Sequence, residues 1–143
     1  MRAGEFLSGL DEGKVIAAIR EAEHGSSGEV RVFVAHGECR DAIAEARRQF
    51  DRMGMRRTRR RNAVLVFVAP RSRSFAIFGD EGIHARVGQE VWDRIASAMA
   101  DRLRGGDATA AVLGAIGAVG EELARHFPPE PGDTNELPDA IAR

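Results

Sequence analysis

Residues 63–69 read Ala-Val-Leu-Val-Phe-Val-Ala, seven apolar positions in succession. A strand with one wet face alternates apolar and polar residues. A run that is apolar at both parities belongs in the middle of a sheet covered on both sides. This segment therefore asks for helices on two faces. Downstream, Pro70-Arg71-Ser72-Arg73 punctuates the chain as a turn, and Ser74 to Phe78 returns as an antiparallel partner strand. Upstream, Glu29 to Ala35 places Val30, Val32 and Val34 on one face and Arg31 and Phe33 on the other. Between these strands, Asp41 is a helix N-cap and Ile43, Ala46, Phe50 and Met53 form an apolar stripe. A strand-helix-strand unit predicts parallel pairing through a right-handed crossover, so the sheet is expected to be small and mixed.

The flanking segments supply the covering helices. Asp11 caps a helix carrying Val15, Ile16, Ile19 and Ala22, and Gly25 ends it. After Gly79-Asp80-Glu81-Gly82 two more helices are expected. The first carries Val87, Val91, Trp92, Ile95, Met99 and Leu103. Gly105-Gly106 breaks it, and Asp107 caps the second, which carries Val112, Leu113, Ile116, Val119, Leu123 and Phe127. Gly114, Gly117 and Gly120 recur every third residue along that last helix. Glycine costs a helix about 1 kcal/mol relative to alanine, so the spacing predicts close approach of a neighbouring element. Residues 1–127 are read as one α/β domain, and residues 128–143 as a Pro-rich, extended C-terminal tail packing on or near it, with Leu137 and Ile141 as anchors.

Composition narrows the function classes. The 143 residues are 43% hydrophobic and 30% charged, ordinary for a globular domain, and the formal net charge of −1 argues against coating of nucleic acid or membrane. Cys39 is alone, so no internal disulfide forms. Met1 to Leu10 lacks a signal-peptide apolar core, and no run reaches the roughly 18 apolar residues of a transmembrane segment. The expected compartment is the cytoplasm. Only Lys14 among the 21 basic residues is a lysine, which reads as coding bias.

Most familiar chemistries have no foothold. There is no Gly-x-Ser-x-Gly elbow, and Cys39 has only His36 nearby in sequence. His24, His36, His84 and His126 are scattered without metal-ligand spacing, and the phosphate-binding glycine loops are absent. Two constellations remain. Gly79-Asp80-Glu81-Gly82 follows an inner strand, and hard cations take carboxylate and carbonyl oxygens where glycine lets the backbone bend. Asp80 is the centre of a candidate Ca2+ or Mg2+ site, with Glu29, Asp133, Asn135 and Glu136 as outer ligands and Gly79 and Gly82 as its loop backbone; a polar strand-to-helix turn is the bland alternative. The second is basic: Arg47, Arg48, Arg52, Arg56, Arg57, Arg59, Arg60 and Arg61 put eight cations into fifteen residues against Asp51 alone. Arg56, Arg57, Arg59, Arg60 and Arg61 are the candidates for binding an acidic protein or an anionic surface. Poor aromatic interleaving argues against nucleic acid, and the acid-rich tail offers an internal counterpart.

Taken in order, Ser27-Gly28-Glu29-Val30-Arg31-Val32, Asn62 to Val68, Phe75-Ala76-Ile77-Phe78-Gly79-Asp80-Glu81-Gly82-Ile83, the Val91-Trp92 helix and His126-Phe127-Pro128 resemble the TPM domain family, specifically its short free-standing bacterial branch. The resemblance implies a three-layer α/β/α sandwich, divalent-metal binding with Ca2+ as first choice, and the acid-phosphatase activity attributed to some plant members. Gly79, Asp80 and Gly82 fall on the family's Gly-rich segment. This sequence departs from it there, with Asp80-Glu81 in place of an aromatic and His84 where an acid is expected. The expected function is a TPM-like binding domain with a cation site, the alternatives being a metal-assisted phosphomonoesterase and an electrostatic interaction module working through Arg47–Arg61.

Overall fold

A strand apolar at every position needs packing on both faces, and the computed structural model, which describes residues 1–132 and 141–143, supplies it. All seven residues of β2 (Ala63–Ala69) are buried. It is the central strand of a three-stranded sheet, between β1 (Glu29–Val34) and β3 (Ser74–Gly79). β1 runs parallel to β2, with Glu29 opposite Ala63 and Val34 opposite Val68. β3 runs antiparallel, with Val64 opposite Gly79 and Ala69 opposite Ser74. The β2–β3 connection is a single 3-10 turn, Pro70–Ser72, closed by Arg73 in the left-handed region at φ 51°.

The side-chain alternation of the three strands sorts two cores. Val30, Val32, Val34, Val64, Val66, Val68 and Ile77 face the larger one. It is completed by α1 (Ala3–Ser8), α2 (Glu12–His24), α5 (Gln89–Arg104) and α6 (Ala108–His126). Leu65, Phe67 and Ala76 face the smaller one, against Ala46 and Phe50 of α3 (Ala42–Arg52) and Met55 of the 3-10 turn that follows it. Phe33 stacks on Phe67 at 5.9 Å between centroids, and Phe50 meets Phe78 edge-on at 5.0 Å. The result is the expected α/β/α arrangement with a mixed sheet.

Several local expectations need correction. Ala3–Ser8 is helical although it has no side-chain cap; Phe6, 1% exposed, is pulled into the large core. The segment after β3 forms two helices before α6, not one. Gly88 at φ 85° separates α4 (Glu81–Val87) from α5, a conformation that a helix interior cannot hold. Ile43 sits at the margin of the α3 stripe and is 42% exposed. The glycine spacing of α6 has its packing reason at two of three positions. Arg102 of α5 lies across Gly114, and the Ala22 Cβ of α2 comes within 3.0 Å of where a Gly120 Cβ would stand, whereas Gly117 has nothing within 4 Å.

The free edge of β1 is also covered. Ala142 bridges Phe33 in parallel, accepting from Val34 N at 2.8 Å and donating to Val32 O at 2.8 Å. Ile141 is 6% exposed in the large core, and Arg143 donates to Glu12 at 2.9 Å. Farther along the same strand the Val30 amide donates to the Glu23 carboxylate at 2.9 Å. Backbone groups on an edge strand otherwise invite pairing with foreign chains.

Candidate functional site

The sheet brings two of the acids expected of a cation site, Glu29 and Asp80, to one end. Glu29 pairs in register with Ala63, and the Ala63 carbonyl accepts the Asp80 amide at 2.9 Å. Both side chains are buried, Glu29 at 3% and Asp80 at 0% exposure. Asp133, Asn135 and Glu136 lie outside the described residues. What surrounds Asp80, however, is cationic. Its Oδ2 accepts from Arg61 Nε at 2.9 Å. Its Oδ1 accepts from Arg61 Nη2 at 3.1 Å, Arg56 Nη1 at 3.1 Å and the Glu81 amide at 2.8 Å, the last as the N-cap of α4. Pairing with Asp80 pushes the Arg61 guanidinium further above its ordinary range.

A hard cation needs carboxylate oxygens facing an open, negative cavity. At Asp80 every oxygen is engaged, and two guanidinium groups stand where the ion would sit. Among the described residues no group of three or more His, Cys, Asp or Glu side chains is placed to hold a metal. The described residues around Asp80 therefore do not fit Ca2+ or Mg2+.

The glycines of this turn have structural reasons instead. A Cβ on Gly82 would overlap the Arg60 carbonyl oxygen and stand 2.6 Å from that of Arg61. Gly82 and Ile83 both donate their amides to the Arg61 carbonyl, at 2.8 and 3.3 Å. A Cβ on Gly79 would meet the Trp92 ring at 2.9 Å. Gly79-Asp80-Glu81-Gly82 is thus a clasp: it pins the start of α4 to the chain entering β2, with Arg61 itself held at φ 52°.

The arginine run divides accordingly. Arg56, half-buried, pairs with Asp51 and Asp80 and lies over the Phe50 ring at 5.4 Å. Arg61 pairs with Asp80 and Glu81, Arg60 with Glu130 at 2.6 Å, and Arg48 with Glu45. The charges of Arg56 and Arg61 are answered from within the chain. Arg47, Arg52, Arg57 and Arg59 are exposed and have no ion-pair partner among the described residues.

Two residues that sequence reasoning missed fix the loop carrying Arg57 and Arg59. Thr58 and Asn62 are buried, at 3% and 1%; Thr58 Oγ1 accepts the Asn62 amide at 3.2 Å, and Asn62 Nδ2 donates to Ser27 Oγ at 3.3 Å. The available signal was a pair of uncharged polar residues inside an otherwise charged run, just before an apolar strand. His84 is structural, since its Nδ1 accepts the N–H of buried Trp92 at 3.1 Å. Burial, the larger effect, and the neighbouring Glu45 raise the Cys39 thiol above its ordinary value, which opposes a nucleophilic thiolate. No described helix is long and apolar enough to cross a membrane.

Comparison with known proteins places this architecture. The BA42 protein of the psychrophilic bacterium Bizionia argentinensis, solved by NMR, superposes with a TM-score of 0.82 at 33% identity, covering 92% of this chain and 90% of that one. No curated protein matches the sequence. The TPM domain matches residues 2–122. On that span of sequence, and with the same fold in BA42, the chain belongs to the TPM domain family.

Proposed function

We propose that this TPM domain is an interaction module whose basic face, formed by the end of α3 and the loop entering β2, binds an acidic protein surface. The observation that carries the reading is the division of the arginines: Arg47, Arg52, Arg57 and Arg59 stand exposed without a partner among the described residues, on backbone fixed by the Asp80 clasp. Exposed charges of one sign speed encounter with a complementary surface and choose among partners more than they add raw affinity. An acidic protein is favoured over nucleic acid because no aromatic ring is interleaved for bases to stack on. Phe50 is buried beneath Arg56.

The test is retention on immobilised poly-L-glutamate in a salt gradient. Arg57→Glu/Arg59→Glu is compared with Arg40→Glu/Arg94→Glu, two exposed arginines elsewhere that change the net charge equally. The first pair should elute at clearly lower salt, and the control should stay near wild type. Equal displacement by both pairs would mean that overall charge alone governs retention, and the reading fails.

A further inference from the structure

The opposite end of the sheet is the carboxyl end of the two parallel strands, where open α/β sheets place their ligand crevices. There His36 lies just past the end of β1 at Val34, and Arg71 just past the end of β2 at Ala69. Two cavities open at this end, of about 340 and 360 Å3, each at the small end of the range for organic ligands. They share two stretches of chain, Met1–Arg2 and Pro70–Arg71, one residue of each lining each cavity. The cavity holding Arg2, His36 and Arg71 has no acidic lining residue. The other joins Met1, Pro70, Phe75 and Leu103 to Arg73 and Arg104. One half is cationic and the other chiefly apolar.

The charges here are weakly engaged. Arg71 has only Glu38 at 3.8 Å, with both side chains more than half exposed, a contact of little strength in water. Arg104 pairs with Asp101. Arg2 and Arg73 have no ion-pair partner among the described residues. Arg73 also carries a conformational cost. It is one of two described non-glycine residues at positive φ, and the other, Arg61, is held there by its two bonds to Asp80. Arg73 closes the β2–β3 turn, its amide donating to the Pro70 carbonyl at 3.1 Å, and it also lines the cavity. A left-handed arginine costs more than glycine would at the same place.

We infer that this paired cavity binds a small organic oxyanion, a carboxylate or phosphate monoester with an apolar body. The head is held by Arg2, Arg71 and Arg73, with an imidazole N–H of His36 as a further donor. The body lies against Pro70, Phe75 and Leu103. Guanidinium forks suit both oxyanions, through paired N–H donors. The site lies at the far end of β2 from the arginine face proposed above, roughly 20 Å away for a seven-residue strand, and does not depend on that reading.

Backbone amide titration by NMR tests it with four probes: octyl phosphate, octanoate, inorganic phosphate and octanol. Either amphiphilic anion should shift the amides of Arg2, His36, Arg71 and Arg73 saturably, and the tighter of the two identifies the head group. Inorganic phosphate should bind at least tenfold more weakly, and octanol should leave these amides in place. Arg71→Gln and Arg73→Gly should each weaken binding several-fold. Arg73→Gly should leave the melting temperature unchanged or raised, because glycine relaxes the left-handed φ, so lost binding cannot be blamed on lost folding. Equal binding of inorganic phosphate and octyl phosphate, or wild-type binding by both variants, would overturn the inference.

Discussion

Asp80→Asn separates a clasp from a cation site by the sign of its effect. A carboxylate belonging to an empty metal site is repelled by its fellow ligands, so neutralising it stabilises the metal-free protein. The Asp80 carboxylate instead accepts three guanidinium hydrogen bonds at 2.9–3.1 Å and caps α4 through Glu81 at 2.8 Å. Asparagine keeps one acceptor oxygen but turns an NH2 donor toward an N–H donor. Breaking a buried ion pair costs on the order of 3–5 kcal/mol. The Arg56 and Arg61 side chains are 33% and 37% exposed, so water recovers part of that, leaving about 2–3 kcal/mol for Asp80→Asn. For a chain of this length the melting temperature should fall by about 8 °C. The assay is thermal unfolding of both proteins by circular dichroism, in EGTA and in Ca2+. A site filled at one hundred times its dissociation constant would add about 2.7 kcal/mol, far above detection. The clasp predicts a large drop for the variant and the same drop in both buffers. A variant more stable than wild type in EGTA, or a Ca2+-dependent rise that Asp80→Asn abolishes, would refute the reasoning.

Two glycines should respond in opposite directions. Gly82→Ala drives a methyl into the Arg60 and Arg61 carbonyls and should cost about 3 kcal/mol or more, whereas Gly117→Ala, in α6 with nothing within 4 Å, should gain about 0.5–1 kcal/mol; paired denaturant melts check both. Ile141→Asp should unseat the segment that covers β1, so hydrogen exchange at the Val34 amide, bonded to Ala142 O, should quicken by tenfold or more while the Val66 amide in central β2 stays protected.

What the sequence made legible was whatever depends on neighbours in the chain. The run 63–69 announced a strand covered on both faces, and all seven of its residues are buried. The caps at Asp11, Asp41 and Asp107 were readable because each acts within its own first turn, accepting from Lys14, Ala44 and Ala110. The short helix at Ala3–Ser8 was not readable, since its stability comes from burying Phe6 in a core built elsewhere. Nor was the role of Asp80. A glycine-acid turn at a strand end has the same local pattern whether an ion or an arginine waits across from it, and the arginine is 19 residues away in sequence. The arginine run was legible as charge, but its division was not, because that depends on which guanidinium groups the fold carries to an acid.

That division is where fold and function meet. A binding surface of exposed arginines loses side-chain freedom when a partner arrives, and it loses backbone freedom as well if the loop beneath is loose. Here the loop is held throughout. Gly54 opens it at φ 69°, and its carbonyl accepts the Arg57 amide at 3.2 Å. Met55 is fully buried, and Thr58 accepts the Arg61 amide through its carbonyl at 3.2 Å. The Arg61 carbonyl in turn receives two amides from α4, and its guanidinium grips Asp80 through two of its nitrogens. A lysine at 61 would supply the same charge as a single point and could not make that two-nitrogen grip. Arg56 and Arg61 therefore serve the proposed surface without being part of it: by binding an acid of their own chain, they fix the backbone that carries Arg57 and Arg59.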